Sequence, residues 1–550
     1  MLLKLKVGLI LLFALLIRVW GLDKLPIELF GDELDAGYQA YSILKTGKDY
    51  LGHSLPINFH SFPENRSPMF IYSLVPTVAI FGLNEWGVRI APALWGTLSI
   101  LILFLIVNKL TDERTAISSS LLLAVTPWHW HYSRAGFEVS LLLLFVLLSV
   151  WFWINQNRRW WFIVVSMIFL SLSLFTYSSA LSFSPFLGLL IFFVFKPNII
   201  EIKTKTSIFL VIVASGFLLF FGGLGQPRER VGTVSLLALP GLEKEISTKR
   251  SIDENGIVGS LFHNKPTVIL REITSNYLKS FSPQFLALDG DPNPTHSEIG
   301  GGFGELFHAE YLLSLVGVGI LVARRKRQYS QLFLGWLLLA PLSSSVTIGG
   351  GEHATRLFLM LPPLVVSSAV GFWAIYDFFK PSYQKTLAVF IVLAAFITEI
   401  IFFGHHTIFH YRFESWRAWQ YGYKEAIQAL STEPKIKVIS YKGEPALIRY
   451  LFWSKTDPRW FQANFTGDKF TSDVIPGLDG FRVGPDLFFG NLNNKVALED
   501  FLKPGMTFLT VQGRDIPGNW VLNATSNFEL IKVIKDPEYS QPLMQVLKRK

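Results

Sequence analysis

The chain has 550 residues, 50% of them hydrophobic and 17% charged, with no cysteine and a formal net charge of +9. An ordinary soluble protein carries about 25% charged residues, so a chain that faces water on all sides is excluded. The absence of cysteine excludes disulfides and thiolate metal sites. The basic residues lie in short clusters between apolar runs, the pattern of membrane-protein loops and not of a nucleic-acid-binding face, so no nucleic-acid partner is expected.

A bilayer core about 30 Å thick takes about 20 apolar residues in a helix. Runs of this kind predict spans near residues 5–22, 88–109, 114–131, 138–156, 160–177, 179–196, 206–224, 309–323, 329–347, 355–378 and 385–404. The start resembles a signal peptide, with Lys4 and Lys6 ahead of an apolar stretch. It shows no small-residue cleavage site before Asp23, and a retained first span is expected.

Loop charge supports the assignment. With the N-terminus inside, the inner loops hold Lys109 and Arg114, Arg158 and Arg159, and Lys196, Lys203 and Lys205. Further on they hold Arg324, Arg325, Lys326 and Arg327, then Lys380 and Lys385. The short outer loops are nearly free of Lys, as the positive-inside rule requires. An odd number of spans places the C-terminal part outside.

The apolar segment Met69–Leu83 is short for a span and contains Pro76, so it is expected to lie in the outer interface. Two outer loops are long, residues 23–87 and 225–308. After Gly404 the composition changes. Trp416, Trp419, Tyr421 and Tyr423 form a belt-like stretch, followed by strand-like Lys437–Tyr441, Met506–Gln512 and Phe528–Ile534, with helix-like Glu444–Trp453 between them. The expected architecture is an α-helical polytopic membrane protein with a transmembrane domain over 1–405 and a small extracytoplasmic α/β domain over 412–550.

Three clusters carry candidate chemistry. Phe30-Gly31-Asp32-Glu33-Leu34-Asp35-Ala36-Gly37-Tyr38 brings three carboxylates together after the first span. Asp32 is placed either to cap the helix that follows or to act as a general base at the membrane surface, where lost hydration favours the neutral acid. Trp128-His129-Trp130-His131-Tyr132-Ser133-Arg134-Ala135-Gly136-Phe137-Glu138 places ionisable groups at a span boundary. There Arg134 and Glu138, four apart, suit an ion pair on one helix. The two histidines lack metal-ligand spacing and read as part of an interfacial belt.

In Gly349-Gly350-Gly351-Glu352-His353-Ala354-Thr355-Arg356, glycines precede a helix start that can receive an anion, and Arg356 adds a fixed charge suited to phosphate. Arg66 is a second outer-loop cation. Asp289-Gly290-Asp291-Pro292-Asn293-Pro294-Thr295-His296 is loosely calcium-like in spacing but is better explained as a turn cluster. Neither a Walker loop, a Rossmann glycine pattern nor a nucleophile elbow occurs.

In their order these motifs resemble the GT-C membrane glycosyltransferases, in the branch of protein O-mannosyltransferases and the lipid A aminoarabinose transferase. The resemblance also rests on Ser67-Pro68-Met69-Phe70-Ile71-Tyr72, Phe81-Gly82-Leu83-Asn84-Glu85-Trp86-Gly87-Val88-Arg89, Thr126-Pro127-Trp128 and Pro362-Pro363, and covers about residues 1–405. It implies transfer of a sugar from a polyprenyl-phosphate donor to an acceptor hydroxyl at the outer face, with inversion. Asp32 is then the general base with Glu33 beside it. Glu138 and Asp35 stand in the acceptor, sugar or metal neighbourhood, and Arg356, Arg66, Arg134 and His353 near the donor phosphate. Relatives often have Lys or His before the proline, where this chain has Arg66 and Ser67. A divalent cation such as Mg²⁺ or Mn²⁺ is compatible with the acidic pair, and the acceptor is a protein, lipid or glycan. The competing classes are a lipid or sugar transporter (flippase) and a membrane scaffold. No inverted halves broken by Gly or Pro are seen, and the ionisable residues gather at outer boundaries, both of which weigh against transport.

Overall fold

The computed structural model describes residues 2–549 except 62–65, 160, 197–233, 254–255, 299–300, 434–435, 442–445, 494–496 and 516–526. The expected span at 206–224 lies outside the described residues, as do Lys203 and Lys205.

In chain order the first helices are α1 (Leu2–Val19), α2 (Gly31–Thr46), α3 (Pro68–Phe81), α4 (Glu85–Leu110), α5 (Glu113–Val125), α6 (Pro127–Tyr132), α7 (Val139–Ile154), α8 (Trp161–Leu174) and α9 (Ala180–Val194). Beyond them lie the apolar helices His308–Ala323, Gln328–Leu339, Ala354–Phe378 and Ser382–Phe409. Among the described residues the other hydropathy runs fall on helices, and two are divided: 329–347, into Gln328–Leu339 and Leu342–Ser345 on either side of Pro341, and 114–131. The expected span 114–131 is two helices, because Thr126 leaves the helical region (φ −50°, ψ 127°) and Pro127 has no N–H to continue the ladder. Among the described residues three helices, Glu85–Leu110, Ala354–Phe378 and Ser382–Phe409, are long and apolar enough to cross a membrane, and five apolar helices are shorter. Leu387, Phe390, Ile397, Ile401 and Phe402 of the helix Ser382–Phe409 are exposed, a surface suited to lipid and not to water.

The chain folds as two compact units, one of Met1–Trp20, Glu64–Met69 and Pro92–Tyr411, the other of Gly21–Pro63, Phe70–Ala91 and Arg412–Lys550. In the first, small residues let His308–Ala323 and Leu361–Phe378 pack backbone to backbone. A Cβ at Gly317 would stand 1.7 Å from the Ser367 carbonyl oxygen. Only glycine permits that approach, the small-residue contact typical of membrane helices.

The second unit is built on a seven-stranded sheet of β1 (Ile436–Ser440), β2 (Thr471–Ile475), β3 (Leu478–Val483), β4 (Leu487–Leu492), β5 (Met506–Val511), β6 (Phe528–Lys535) and β7 (Pro542–Arg549), in the order β2-β3-β4-β1-β5-β7-β6. β1 runs parallel to β4 and β5, and the remaining pairs are antiparallel. Val438, Phe488, Phe508 and Leu547 form its core. The helix Ala446–Trp453 packs on α2, where Gly37 makes room: a Cβ there would lie 2.7 Å from both the Phe452 ring and Val88 Cγ2. The unit therefore takes in α2 as well as the C-terminal residues.

Candidate functional site

The first acidic cluster forms the opening turn of α2. Phe30, not Asp32, is the N-cap; Asp32 is the second helical residue and Glu33 the third. Glu33 is fully buried and does the capping, accepting from the Phe30 N–H at 3.3 Å. It also forms a fork with Arg89, 2.7 Å from Nε to Oε1 and 2.8 Å from Nη2 to Oε2. Arg89 spends its other N–H groups on the carbonyls of Leu22, Pro26 and Glu28. Such a pair survives burial because every charge on it has partners. Upstream, Glu28 accepts from the backbone N–H groups of Gly422 and Lys424. Burial pushes its carboxyl up to about 8, against the opposing pull of these donors, Arg449 and Lys424. Asp35 is buried too, so of the three motif carboxylates Asp32 is the one left partly exposed.

The second cluster bends where α6 ends. Residues 133–138 form turns between α6 and α7, so Arg134 and Glu138 do not share a helix. Arg134 is buried and donates to the carbonyls of Ile17 and Arg18 at the end of α1, both at 2.9 Å, with its guanidinium over Trp130. Glu138 lies 3.6 Å from Arg66, which is itself buried. The histidines are not a surface belt: both are buried. Nδ1 of His129 lies 2.8 Å from Arg18, and Nε2 of His131 meets the Thr295 carbonyl at 2.8 Å.

The third cluster converges with the long loop. Asp291 Oδ2 accepts from the N–H of Ala354 at 2.8 Å, so the anion at this helix start is the chain's own carboxylate. The same oxygen lies 2.8 Å from Nδ1 of His296 and 3.8 Å from Nδ1 of His353. The two imidazoles stack at 4.8 Å. Burial alone would raise the Asp291 carboxyl, but the His296 hydrogen bond and the two imidazoles hold it below the usual range. Glu305, which accepts from the Asp291 N–H at 3.2 Å, is pushed well above its range by burial and by the Asp291 charge. Arg356 is half-buried and donates to Thr347 Oγ1 at 2.7 Å and the Ile348 carbonyl at 3.2 Å. Tyr132 of α6 bonds Thr355 at 2.7 Å and so ties the second cluster to the third.

Sequence reasoning gave no role to Arg89, Glu28 or Glu305, and it read Asp291 and His296 as turn residues. Arg89 stood in a quoted motif and is the one for which a local signal existed. The partners of Glu28, by contrast, are distant in sequence.

Residues 65–222 match the model of the dolichyl-phosphate-mannose-protein mannosyltransferase family. No curated protein matches the chain. Among solved structures, the oligosaccharyltransferase AglB from Archaeoglobus fulgidus, in complex with an inhibitory peptide and a dolichol-phosphate, is 14% identical with a TM-score of 0.50, over 82% of this chain and 63% of that one. The same enzyme with zinc and sulfate gives 13% and 0.49, over 82% and 61%. ArnT from Cupriavidus metallidurans, bound to undecaprenyl phosphate, is 11% identical with a TM-score of 0.49, over 99% and 97%. The chain thus spans less than two thirds of the length of the archaeal enzyme. The fold is thus similar to that of the archaeal oligosaccharyltransferase. The segment 65–222 is similar to the protein mannosyltransferase family.

Proposed function

We propose that the protein transfers a sugar from a polyprenyl-phosphate-linked donor to an acceptor hydroxyl at the outer face of a membrane, with inversion at the anomeric carbon. The observation that carries this reading is the family match over residues 65–222. The dolichol-phosphate in the archaeal complex is in keeping with a lipid-phosphate donor.

In this reading Asp32 is the general base. Glu33 is held by Arg89 and Asp35 is buried, which leaves Asp32 as the accessible carboxylate of the motif. It takes the proton from the acceptor hydroxyl as that oxygen attacks the anomeric carbon. The bond from that carbon to the phosphate oxygen breaks, and the lipid phosphate leaves with the electron pair. The leaving group needs positive charge more than a proton. Arg356 is the chain's best candidate for it, a half-exposed guanidinium at the start of the helix Ala354–Phe378. Arg66 and His353 serve as neighbours of the phosphate, and Glu138 orients Arg66. Arg134, buried on the α1 carbonyls, positions the α6–α7 turn.

The test is transfer of label from a radiolabelled polyprenyl-phosphate sugar by the purified protein, run beside lipid movement in liposomes. Transfer to an acceptor with donor consumed supports the reading. Lipid movement without transfer would establish a flippase instead.

A further inference from the structure

We infer that Asp291, His296 and His353 form a binding site for a divalent transition-metal cation, zinc best fitting the donor set, which clamps the long loop to the start of the helix Ala354–Phe378. One donor atom from each residue lies within 4.8 Å of the other two. Asp291 Oδ2 stands 2.8 Å from His296 Nδ1 and 3.8 Å from His353 Nδ1. Four ligands at about 2.1 Å in a tetrahedron stand about 3.4 Å apart, so small side-chain rotations bring the three onto one ion.

The donor chemistry selects the cation. Two imidazoles and one carboxylate suit zinc and its first-row neighbours, whereas magnesium and calcium take oxygen ligands. Three protein ligands leave a fourth position for water or an anionic oxygen. The acidic pair of the first loop is a different kind of place, since Glu33 is already neutralised by Arg89.

The surroundings are those of a supported site. Asp291 Oδ1 accepts from the Asn293 N–H at 2.8 Å, Oδ2 from the Ala354 N–H, and the Asp291 N–H donates to Glu305. The His296 ring packs edge-on to Phe137 at 5.9 Å, and His131 holds the loop by the Thr295 carbonyl. Orientation of ligands by such outer partners is what makes a metal site selective. When the cation enters, it takes the place of the proton that His296 Nδ1 shares with Asp291 Oδ2. This inference stands apart from the sugar-transfer reading, because it rests on the ligand geometry alone.

The test uses the full chain, purified in detergent and stripped with a chelator. Zinc alone is added back, and bound metal is measured by mass spectrometry, with cobalt absorption as a second readout and thermal unfolding as a third. The expected result is one zinc per chain, zinc-dependent stabilisation of the wild type, and at least a tenfold loss of affinity in the His296→Ala/His353→Ala double variant. Asp291→Asn, which keeps the side chain's shape and one of its two acceptor oxygens, should weaken zinc in the same direction and covers a double variant that fails to fold. A stripped wild type that takes up no zinc, a preference for magnesium over zinc, or stoichiometric zinc retained by either variant would overturn the assignment.

Discussion

The entry to α2 and the segment around Asp291 both gather carboxylates, and they treat them in opposite ways. At the entry to α2, Glu28 and Glu33 are consumed by backbone N–H groups and by Arg89, and Asp32 is left partly exposed. In the long loop, Asp291 keeps its charge among histidines while Glu305 behind it is pushed towards the neutral acid. The same residue type is a strut in one place and, in the readings proposed above, a base or a metal ligand in another. A cluster of acids in a sequence is therefore a set of candidates, and burial and partners choose among them.

That contrast can be broken most severely at its strut. Arg89→Ala leaves the buried Glu33 carboxylate unpaired and is expected to cost about 3–5 kcal/mol of stability, read as a large drop in the unfolding midpoint of the purified protein. A variant that melts like the wild type would show that Glu33 is not held by this pair. Next comes packing beneath the same turn. Gly37→Ala puts a methyl against Val88 and Phe452 and should cost about 1–3 kcal/mol, again by thermal unfolding, with an unchanged midpoint as the contrary result.

The most gradual effect is a pH slope. The Glu28 carboxyl has a folded value raised to about 8 from an ordinary 4.5. Between these values the folded state holds a proton that the unfolded state has lost. Its contribution to stability is fully present below about 4.5 and declines as pH rises towards 8, by at most about 1.4 kcal/mol per pH unit. Glu28→Gln should flatten that slope in unfolding midpoints taken from pH 5 to 8; a slope unchanged by the substitution would assign it to other groups.

Much of the helical part was legible in the sequence because membrane helices announce themselves by hydropathy. The runs at 88–109, 138–156 and 385–404 fall on Glu85–Leu110, Val139–Ile154 and Ser382–Phe409. The break at Thr126–Pro127 was missed because both flanks are apolar, although the proline was a visible signal. Three of the seven strands were read. β2, β3 and β4 were missed, being short, with Asp479, Gly480 and Gly490 diluting the alternation, and β7 ends among charges.

In the candidate site, the residue types of the first loop were legible and their division of labour was not. Glu33 finds Arg89 56 positions away. His131 meets Thr295 across 164 positions, and Ala354 meets Asp291 across 63. No local spacing encodes such meetings, so a histidine that joins a polar cluster looked like part of an aromatic belt.

The central claim is that Asp32 works chemically while Glu33 works structurally, and one paired measurement tests it. Asp32→Asn and Glu33→Gln are compared for sugar transfer from the labelled polyprenyl-phosphate donor and for thermal unfolding. The account predicts that Asp32→Asn lowers turnover at least about a hundredfold with an unfolding midpoint like that of the wild type, and that Glu33→Gln lowers the midpoint. Near-normal transfer by a folded Asp32→Asn protein would contradict it.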